Sequence, residues 1–401
     1  MADPTALRDK VAIIGMGCTK FGENYQWGSD DMIIDATFEA LNDAKIGLKD
    51  IQAAWVGTLG SGTTASGGTG TVLTQPLKLK LIPSTRVENG CATGIEVIRA
   101  ASMAVALGVY DIALCVGFEK LKDSGLTGLP EHFYHPVYAQ GATAPGRWAL
   151  PATRYFAHHK LTPAQGKEAL ARISVKNHKN GAKSPKAHLQ REITLDQALN
   201  APIIAWPLGL FDCCPTTDGA AAAIICNAKI AKKFSDDYIL IKGFGCAVGP
   251  GWGKEDIDYK YVDFPETIAA GKSAYEQAGI KDPRKELSMA QIHDCFTIAE
   301  LMEYEALGFS APGQAVKDIN AGFFELHNGG LPVNTDGGLK SFGHPIGATG
   351  IRMVYENYKQ LQGNAQLPER QLKNPKLALA MPQSGHPGYF APVVCILGAQ
   401  Q

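Results

Sequence analysis

Short apolar runs alternate along this chain with longer stretches in which apolar residues recur every three or four positions. That is the rhythm of buried strands separated by helices, and it predicts an α/β fold. Lys10 to Gly15 reads as a first strand and Ile51 to Gly57 as a second, each running into glycine in the manner of a strand covered on both faces. Between them Ile34, Phe38, Ala40 and Leu41 predict a helix over Asp30 to Ala44, with Ser29 or Asp30 as its N-cap. Thr58 to Thr71 is crowded with Gly, Ser and Thr but holds no G-x-x-x-x-G-K-[ST] pattern, so it reads as a loop. An extended run then ends at Asn89-Gly90, and Cys91 leads into a helix over Ala92 to Leu107 whose charged residues are Glu96 and Arg99 alone. Such a helix is buried around most of its circumference. A strand over Ile112 to Val116 follows.

From Glu119 to about Leu210 the rhythm breaks into an irregular segment rich in Pro and Gly. It carries Phe133, Tyr134, His135, Tyr138, Trp148, Tyr155, Phe156, His158, His159 and Trp206, with one helix expected over Thr162 to Gly181, opened by Thr162-Pro163. A long insertion of this kind is a lid or binding region or, for most of the aromatics, a small satellite core. Ala220 to Cys226 and Tyr238 to Gly245 resume as strands. The second half repeats the scheme: helix Pro265 to Ala278, strand Ala290 to Asp294, helix Thr297 to Leu307, a helix ending at Leu361, and strand Lys376 to Ala380.

The halves share a short repeat. Cys91-Ala92-Thr93-Gly94-Ile95 and Gly347-Ala348-Thr349-Gly350-Ile351 each open a helix that is followed by a strand. Two similar halves place two helix N-termini near one another, one with Cys91 and the other preceded by His344. A cysteine at such an end faces free backbone N–H groups and the positive end of the helix dipole, which predicts a lowered thiol pKa. Alone, the position fits equally well a small buried hydrophobe.

Composition narrows the partners. The net charge of −1 over 401 residues offers no electrostatic case for nucleic acid or an anionic membrane. No apolar run reaches membrane-spanning length, and the N-terminus lacks a signal pattern. Nine scattered cysteines, with Cys213-Cys214 adjacent, suit neither a disulfide framework nor zinc; reduced thiols in the cytoplasm and no metal are expected.

With Cys91, His-Asp-Cys-Phe at 293–296 and Gly-His-Pro-Ile-Gly-Ala-Thr-Gly at 343–350, the chain resembles the thiolase superfamily nearly end to end. His-Asp-Cys-Phe is similar to the sterol-carrier-type thiolases and to archaeal and bacterial thiolases that work with a separate small zinc-ribbon/OB-fold subunit. The resemblance implies the thiolase fold, two pseudo-twofold-related α/β halves in five layers with an inserted loop domain. Residues 1–118 and 211–262 would form the N-terminal half, 119–210 the loop domain and 263–401 the C-terminal half. It also implies a homodimer core, that small partner subunit, and coenzyme A as co-substrate with no permanently bound cofactor. Cys91 would carry the acyl group, His344 would activate it and stabilise an oxyanion, and His293 would serve as acid and base.

The chain departs from the family pattern at the Cys-x-Gly-Gly-Gly motif, where Gln383-Ser384-Gly385-His386-Pro387-Gly388 holds no cysteine. Gly385, Gly388 and His386 are then the candidate oxyanion loop, with His386 a second candidate acid. Arg147 and Arg154, among the aromatics of the insertion, are candidates to clamp a carboxylate. They point to a bulky, aryl-substituted 3-oxoacyl-CoA such as benzoylsuccinyl-CoA. The alternatives are an acetyl-CoA acetyltransferase or ketosynthase-like condensing enzyme, and a non-catalytic acyl-CoA-binding scaffold.

Overall fold

A computed structural model describes residues 3, 5–60, 69–124, 143–251 and 258–400. In the first half, strands β1 (Val11–Cys18), β2 (Ala53–Gly57), β3 (Ser84–Val87) and β4 (Ile112–Glu119) lead to a hairpin of β5 (Ile203–Ala205) and β6 (Leu208–Gly209). Strand β7 (Gly219–Asn227) closes that half. The second half uses β8 (Ile239–Cys246), β9 (Met289–Ile292), β10 (Leu377–Met381), β11 (Gln383–His386) and β12 (Tyr389–Gly398).

The strand order is β3-β2-β4-β7-β1-β8-β12-β10-β9, with β11 paired to β12. Its symmetry is visible in the pairing. β2 runs parallel to β3 and β4, and β7 runs antiparallel to β4 and β1. In the second half β10 runs parallel to β9, and β12 antiparallel to β10 and β8. A single parallel bridge, Ala290 to Val333, stands where β3 stands in the first half. The halves meet where β1 pairs antiparallel with β8 through Ala12–Leu240 and Ile13–Ile239.

β1 and β4 are buried along their whole length because helices cover both faces. Successive β1 residues therefore serve different cores. Ala12 and Ile14 pack with Met32, Ile33, Ala36 and Ala40 of the outer helix Ser29–Ala44, while Val11 and Ile13 join the central core. In the central core the helices Thr93–Ala106 and Ile346–Leu361 lie against each other, and helix Pro265–Ala278 covers the outer face of β8 and β12. The result is the α/β fold of five layers expected from the sequence. The repeated glycines meet at the centre. A Cβ on Gly94 would fall 2.7 Å from the Gly350 nitrogen, and one on Gly350 would fall 2.5 Å from the Ile95 nitrogen. Only glycine lets the two backbones touch.

Several expected boundaries move. The helix Ser29–Ala44 is capped by Gly28, not by Ser29 or Asp30, and the Asp31 carboxylate accepts from the Gly28 N–H at 2.9 Å. The insertion holds a second long helix, Ala144–His158, before Pro163–Ala182. Thr143 caps it through Gly146, and Pro145 sits in the first turn, where a missing N–H costs nothing. Its Trp148, Tyr155 and Phe156 are buried in the central core, so these aromatics pack and do not line an open pocket. Strand β9 stops at Ile292, ahead of His293, and the apolar run Pro392 to Leu397 is the interior of β12, with Cys395 fully buried. Phe133, Tyr134, His135 and Tyr138, and most of the Thr58 to Thr71 loop, lie outside the described residues. Among those described, no helix is long and apolar enough to cross a membrane.

Candidate active site

Cys91 leaves β3 through a tight turn. The Ala92 N–H donates to the Asn89 carbonyl at 3.1 Å, and the Thr93 hydroxyl accepts from the Asn89 N–H at 2.8 Å. Gly90 has φ +54°, and a Cβ there would fall 1.8 Å from the Ser384 hydroxyl. Any side chain at 90 would therefore push the β11 strand off the turn that presents the thiol. Cys91 is half-buried, two residues ahead of the helix Thr93–Ala106.

His344 arrives from the other half. It follows Gly343 (φ +116°) and precedes Pro345, the N-cap of helix Ile346–Leu361. Its Nδ1 lies 2.8 Å from the Thr349 hydroxyl, which itself donates to the Pro345 carbonyl at 3.3 Å. A hydroxyl spending its proton on Pro345 accepts from Nδ1–H, and this assigns the free lone pair to Nε2. Nε2 sits 3.3 Å from the Cys91 sulfur. His293, just past β9, completes the group: its ring lies 5.2 Å from that of His344 at 80°, and the sulfur and imidazole nitrogens of all three residues fall within 4.8 Å of one another. Among the described residues this is the one His/Cys/Asp/Glu cluster that tight, and its close thiol–imidazole contact is that of a nucleophile and its base.

The electrostatics correct one expectation. Burial, then the Glu119 and Glu88 carboxylates, push the Cys91 thiol up to about 12, whereas the helix start was expected to lower it. Loss of water is the largest cause. Burial and the Arg352 guanidinium hold His344 down to about 3, and burial, His344 and Arg352 hold His293 well below its ordinary value. The site thus brings together a thiol and two imidazoles whose charged forms burial disfavours. An oxyanion or thiolate forming beside them supplies the negative charge that favours their protonated forms.

The turn carrying His293 is fastened from behind. The Glu303 carboxyl accepts from the His293 N–H at 2.8 Å, and burial raises its pKa well above the usual carboxylate range. Asp294 accepts from the Leu339 and Lys340 N–H groups at 2.6 and 3.0 Å and from the Asn177 amide at 2.8 Å. Asp294 therefore ties the His293 turn to the loop before His344 and to the inserted helix. Burial and the Glu300 carboxylate push it up to about 7.

Other candidates are placed differently. His386 lies half-buried in the β11–β12 hairpin, its ring against Tyr389 at 5.1 Å and its Nδ1 3.2 Å from the Pro387 carbonyl, outside the three-residue cluster. Gly385 (φ +92°) and Gly388 (φ +86°) shape that hairpin, whose Ser384 faces Gly90. Arg147 is half-buried beside Trp148, which packs on Phe296 and Phe390. Arg154 is exposed, its Nε donating to the Lys260 carbonyl at 3.0 Å. The sequence singled out neither Cys295 nor Cys214. Cys295 is buried and Cys214 half-buried; both are under the electrostatic influence of Cys91 and are joined by a 2.9 Å bond from the Cys214 N–H to the Cys295 carbonyl. Cys295 stands inside the His-Asp-Cys-Phe motif, but only the fold brings it within the electrostatic reach of Cys91.

Residues 11–229 match the family described as thiolase, N-terminal domain, and residues 258–398 the thiolase C-terminal domain-like family. The chain is 34% identical to the acetyl-CoA acetyltransferase of Methanothermobacter thermautotrophicus, over 90% of this chain and 92% of that one. It is 32% identical to benzoylsuccinyl-CoA thiolase subunit BbsB of Thauera aromatica, over 89% and 90%. Among solved structures, the Ltp2–ChsH2(DUF35) aldolase superposes with a TM-score of 0.84 at 26% identity, covering 98% of this chain and 99% of that one. Two matched family domains spanning both halves, and a cysteine and histidine delivered by the two repeated helix starts, lead to one conclusion: the chain belongs to the thiolase family of acyltransferases.

Proposed function

We propose that the protein cleaves a 3-oxoacyl-CoA with coenzyme A through an acyl-enzyme on Cys91. The observation that carries this reading is the 3.3 Å contact between the Cys91 sulfur and the unprotonated Nε2 of a Thr349-oriented His344. Attack of sulfur on the 3-keto carbon passes its proton to His344 and leaves an oxyanion. Scission of the C2–C3 bond sends the electron pair into the thioester enolate. His293, having taken up a proton from solvent as negative charge forms beside it, gives it to that enolate and then takes one from the thiol of coenzyme A, whose sulfur attacks the acyl-enzyme; the departing Cys91 sulfur recovers its proton from His344. Gly385, Gly388 and His386 form the loop flanking the oxyanion. Coenzyme A is a co-substrate, with no permanently bound group or metal.

The substrate in this reading is bulky and aryl-substituted, of the benzoylsuccinyl-CoA type, with the half-buried Arg147 as the group that meets a carboxylate. Arg154 is dropped from that role because it is exposed and bonded to Lys260. For the domain limits this reading takes 1–118 with 211–238, the inserted 119–210, and 239–401; the expected boundary at 262 moves back because β8 pairs with β12 of the second half. In this reading a homodimer core works in the cytoplasm with a small zinc-ribbon/OB-fold subunit; the relatives named as a thiolase subunit and as an Ltp2–ChsH2(DUF35) aldolase support a heteromeric partner.

The test is direct. Coenzyme A and acetoacetyl-CoA or an aryl 3-oxoacyl-CoA are mixed with the protein, enolate absorbance is followed, and the quenched Cys91 peptide is weighed. Loss of absorbance with an acyl mass on Cys91 is expected. Turnover without acyl on Cys91, or binding without turnover of either substrate in the presence of the partner, would overturn the reading in favour of a scaffold.

A further inference from the structure

Glu119 is the last residue of β4 and is fully buried. Its Oε1 accepts from the Thr58 hydroxyl at 2.9 Å. Its Oε2 accepts from the Leu59 N–H at 3.0 Å and from the Gly347 N–H at 3.1 Å. Thr58 and Leu59 belong to the first half, whereas Gly347 lies in the first turn of helix Ile346–Leu361 in the second. The backbones touch at this point, since a Cβ on Gly347 would fall 2.5 Å from the Gly57 carbonyl oxygen and 2.9 Å from the Thr58 Cα. Two residues along that helix, Thr349 holds the His344 ring. One carboxylate therefore spans the two halves directly behind the nucleophile–base pair.

We propose that Glu119 is a positioning residue for the nucleophile–base pair: its hydrogen bonds clamp the helix that orients His344 onto the other half. Other groups face the sulfur. Glu88 comes from its own segment, His344 from the Gly-His-Pro loop, His293 and Cys295 from the His-Asp-Cys-Phe turn, and Cys214 from the segment beside it. After burial, Glu119 is the largest of the influences that raise the Cys91 thiol. The inference rests on Cys91 being the nucleophile.

Substitution tests the clamp directly. Glu119→Gln retains an oxygen for the Leu59 and Gly347 N–H groups, and its amide can donate to the Thr58 hydroxyl, so the clamp survives. Glu119→Asp sets its oxygens on a shorter arm, so the clamp loosens. The experiment measures kcat and KM, alongside iodoacetamide alkylation of Cys91 by peptide mass, in the full-length protein. In Glu119→Asp kcat should fall about tenfold while KM holds and Cys91 still alkylates, as for a misaligned base. Glu119→Gln should keep most of the wild-type rate. An unmoved kcat in Glu119→Asp, or an equal fall in both variants, would overturn the proposal. Should Glu119→Gln not fold, kcat in Glu119→Asp decides alone: unmoved it overturns the proposal, and lowered at constant KM it supports it. Failure of the underlying reading shows separately, as wild-type turnover that survives complete alkylation of Cys91.

Discussion

The helices Thr93–Ala106 and Ile346–Leu361 share the run Ala-Thr-Gly-Ile at their N-terminal ends, at 92–95 and 348–351, and do opposite jobs. The first follows a strand and a turn that present the sulfur; the second follows a Gly-His-Pro turn that presents the imidazole. Their threonines show how duplication was put to use. The Thr93 hydroxyl accepts a backbone N–H and fixes the turn around Cys91, whereas the Thr349 hydroxyl accepts from the His344 ring and fixes its tautomer. Their glycines, Gly94 and Gly350, share one role: they let the helices touch so that both N-termini reach the same spot. A symmetric scaffold thus supports an asymmetric pair, and substitutions at matched positions separate what is shared from what is not.

The largest contrast is between the two loads. Cys91→Ala should abolish turnover outright, because no other thiol meets His344 Nε2. Alkylation alone is a poorer probe, since the exposed Cys246 competes for reagent. His293→Ala should cut turnover by about 10²–10⁴-fold, the usual range for a general acid–base group, while Cys91 still alkylates. His386→Ala should do far less, its ring being engaged with Tyr389 in the hairpin. The reverse order in steady-state kinetics would move the acid into the C-terminal loop.

The shared contact comes next. Gly94→Ala and Gly350→Ala each force a methyl into the opposing backbone, and overpacking of that kind costs about 1–3 kcal/mol. Both should lower the urea midpoint by similar amounts, whatever they do to rate. A variant that unfolds like wild type would show that the helices can slide apart, against the reading of a tight crossing.

Most of this architecture was legible in the residues. The apolar runs placed the main strands, and the repeat anticipated that two helix starts would meet, because both follow from patterns local to a few turns. The helix Ala144–His158 was not legible, since Gly146, Pro145 and Pro151 break its pattern and only packing of Trp148 on Phe264, Phe296 and Phe390 explains it. The state of Cys91 was misread for a related reason. A helix start is visible in sequence, whereas the burial and the Glu119 carboxylate that push the thiol up come from strands far away along the chain. Cys295 and the Asn177–Asp294 bond were hidden likewise.

Buried histidines on both sides of the helix pair give the next effect. His344 and His178 are held down to about 3 and about 4, and His293 well below its ordinary value, all three chiefly by burial. Below about pH 6.5 the unfolded chain takes up protons that these folded sites refuse, so their contribution to stability is present above that pH and lost as it falls. Asp294, raised to about 7, and Glu303, raised too, work the other way, and their contribution is lost as pH rises through the folded values. Melting temperature should therefore peak near pH 6–7. His178→Gln, remote from the catalytic cluster, should flatten the acid side; an unchanged acid slope would rule its burial out as a source.

The smallest and sharpest test returns to the two threonines. Thr93→Val and Thr349→Val are near-isosteric and remove one hydroxyl each. Without the Thr93 hydroxyl the Asn89 N–H loses its acceptor, and the expected outcome is a stability loss of about 1 kcal/mol with kcat little altered. Without the Thr349 hydroxyl nothing holds the proton on Nδ1, and the ring can present Nε2–H to the sulfur in place of a lone pair. Turnover should then fall by about tenfold at unchanged KM, since only the correctly protonated fraction is competent. Stability should fall by no more than in Thr93→Val. Measured side by side, kcat and urea midpoint should cross between the two variants. If both lost rate equally, or Thr349→Val lost only stability, the hydroxyl at 349 would be a helix-start bond like its twin, and the asymmetry of the pair would have to arise from the sulfur and the imidazole alone.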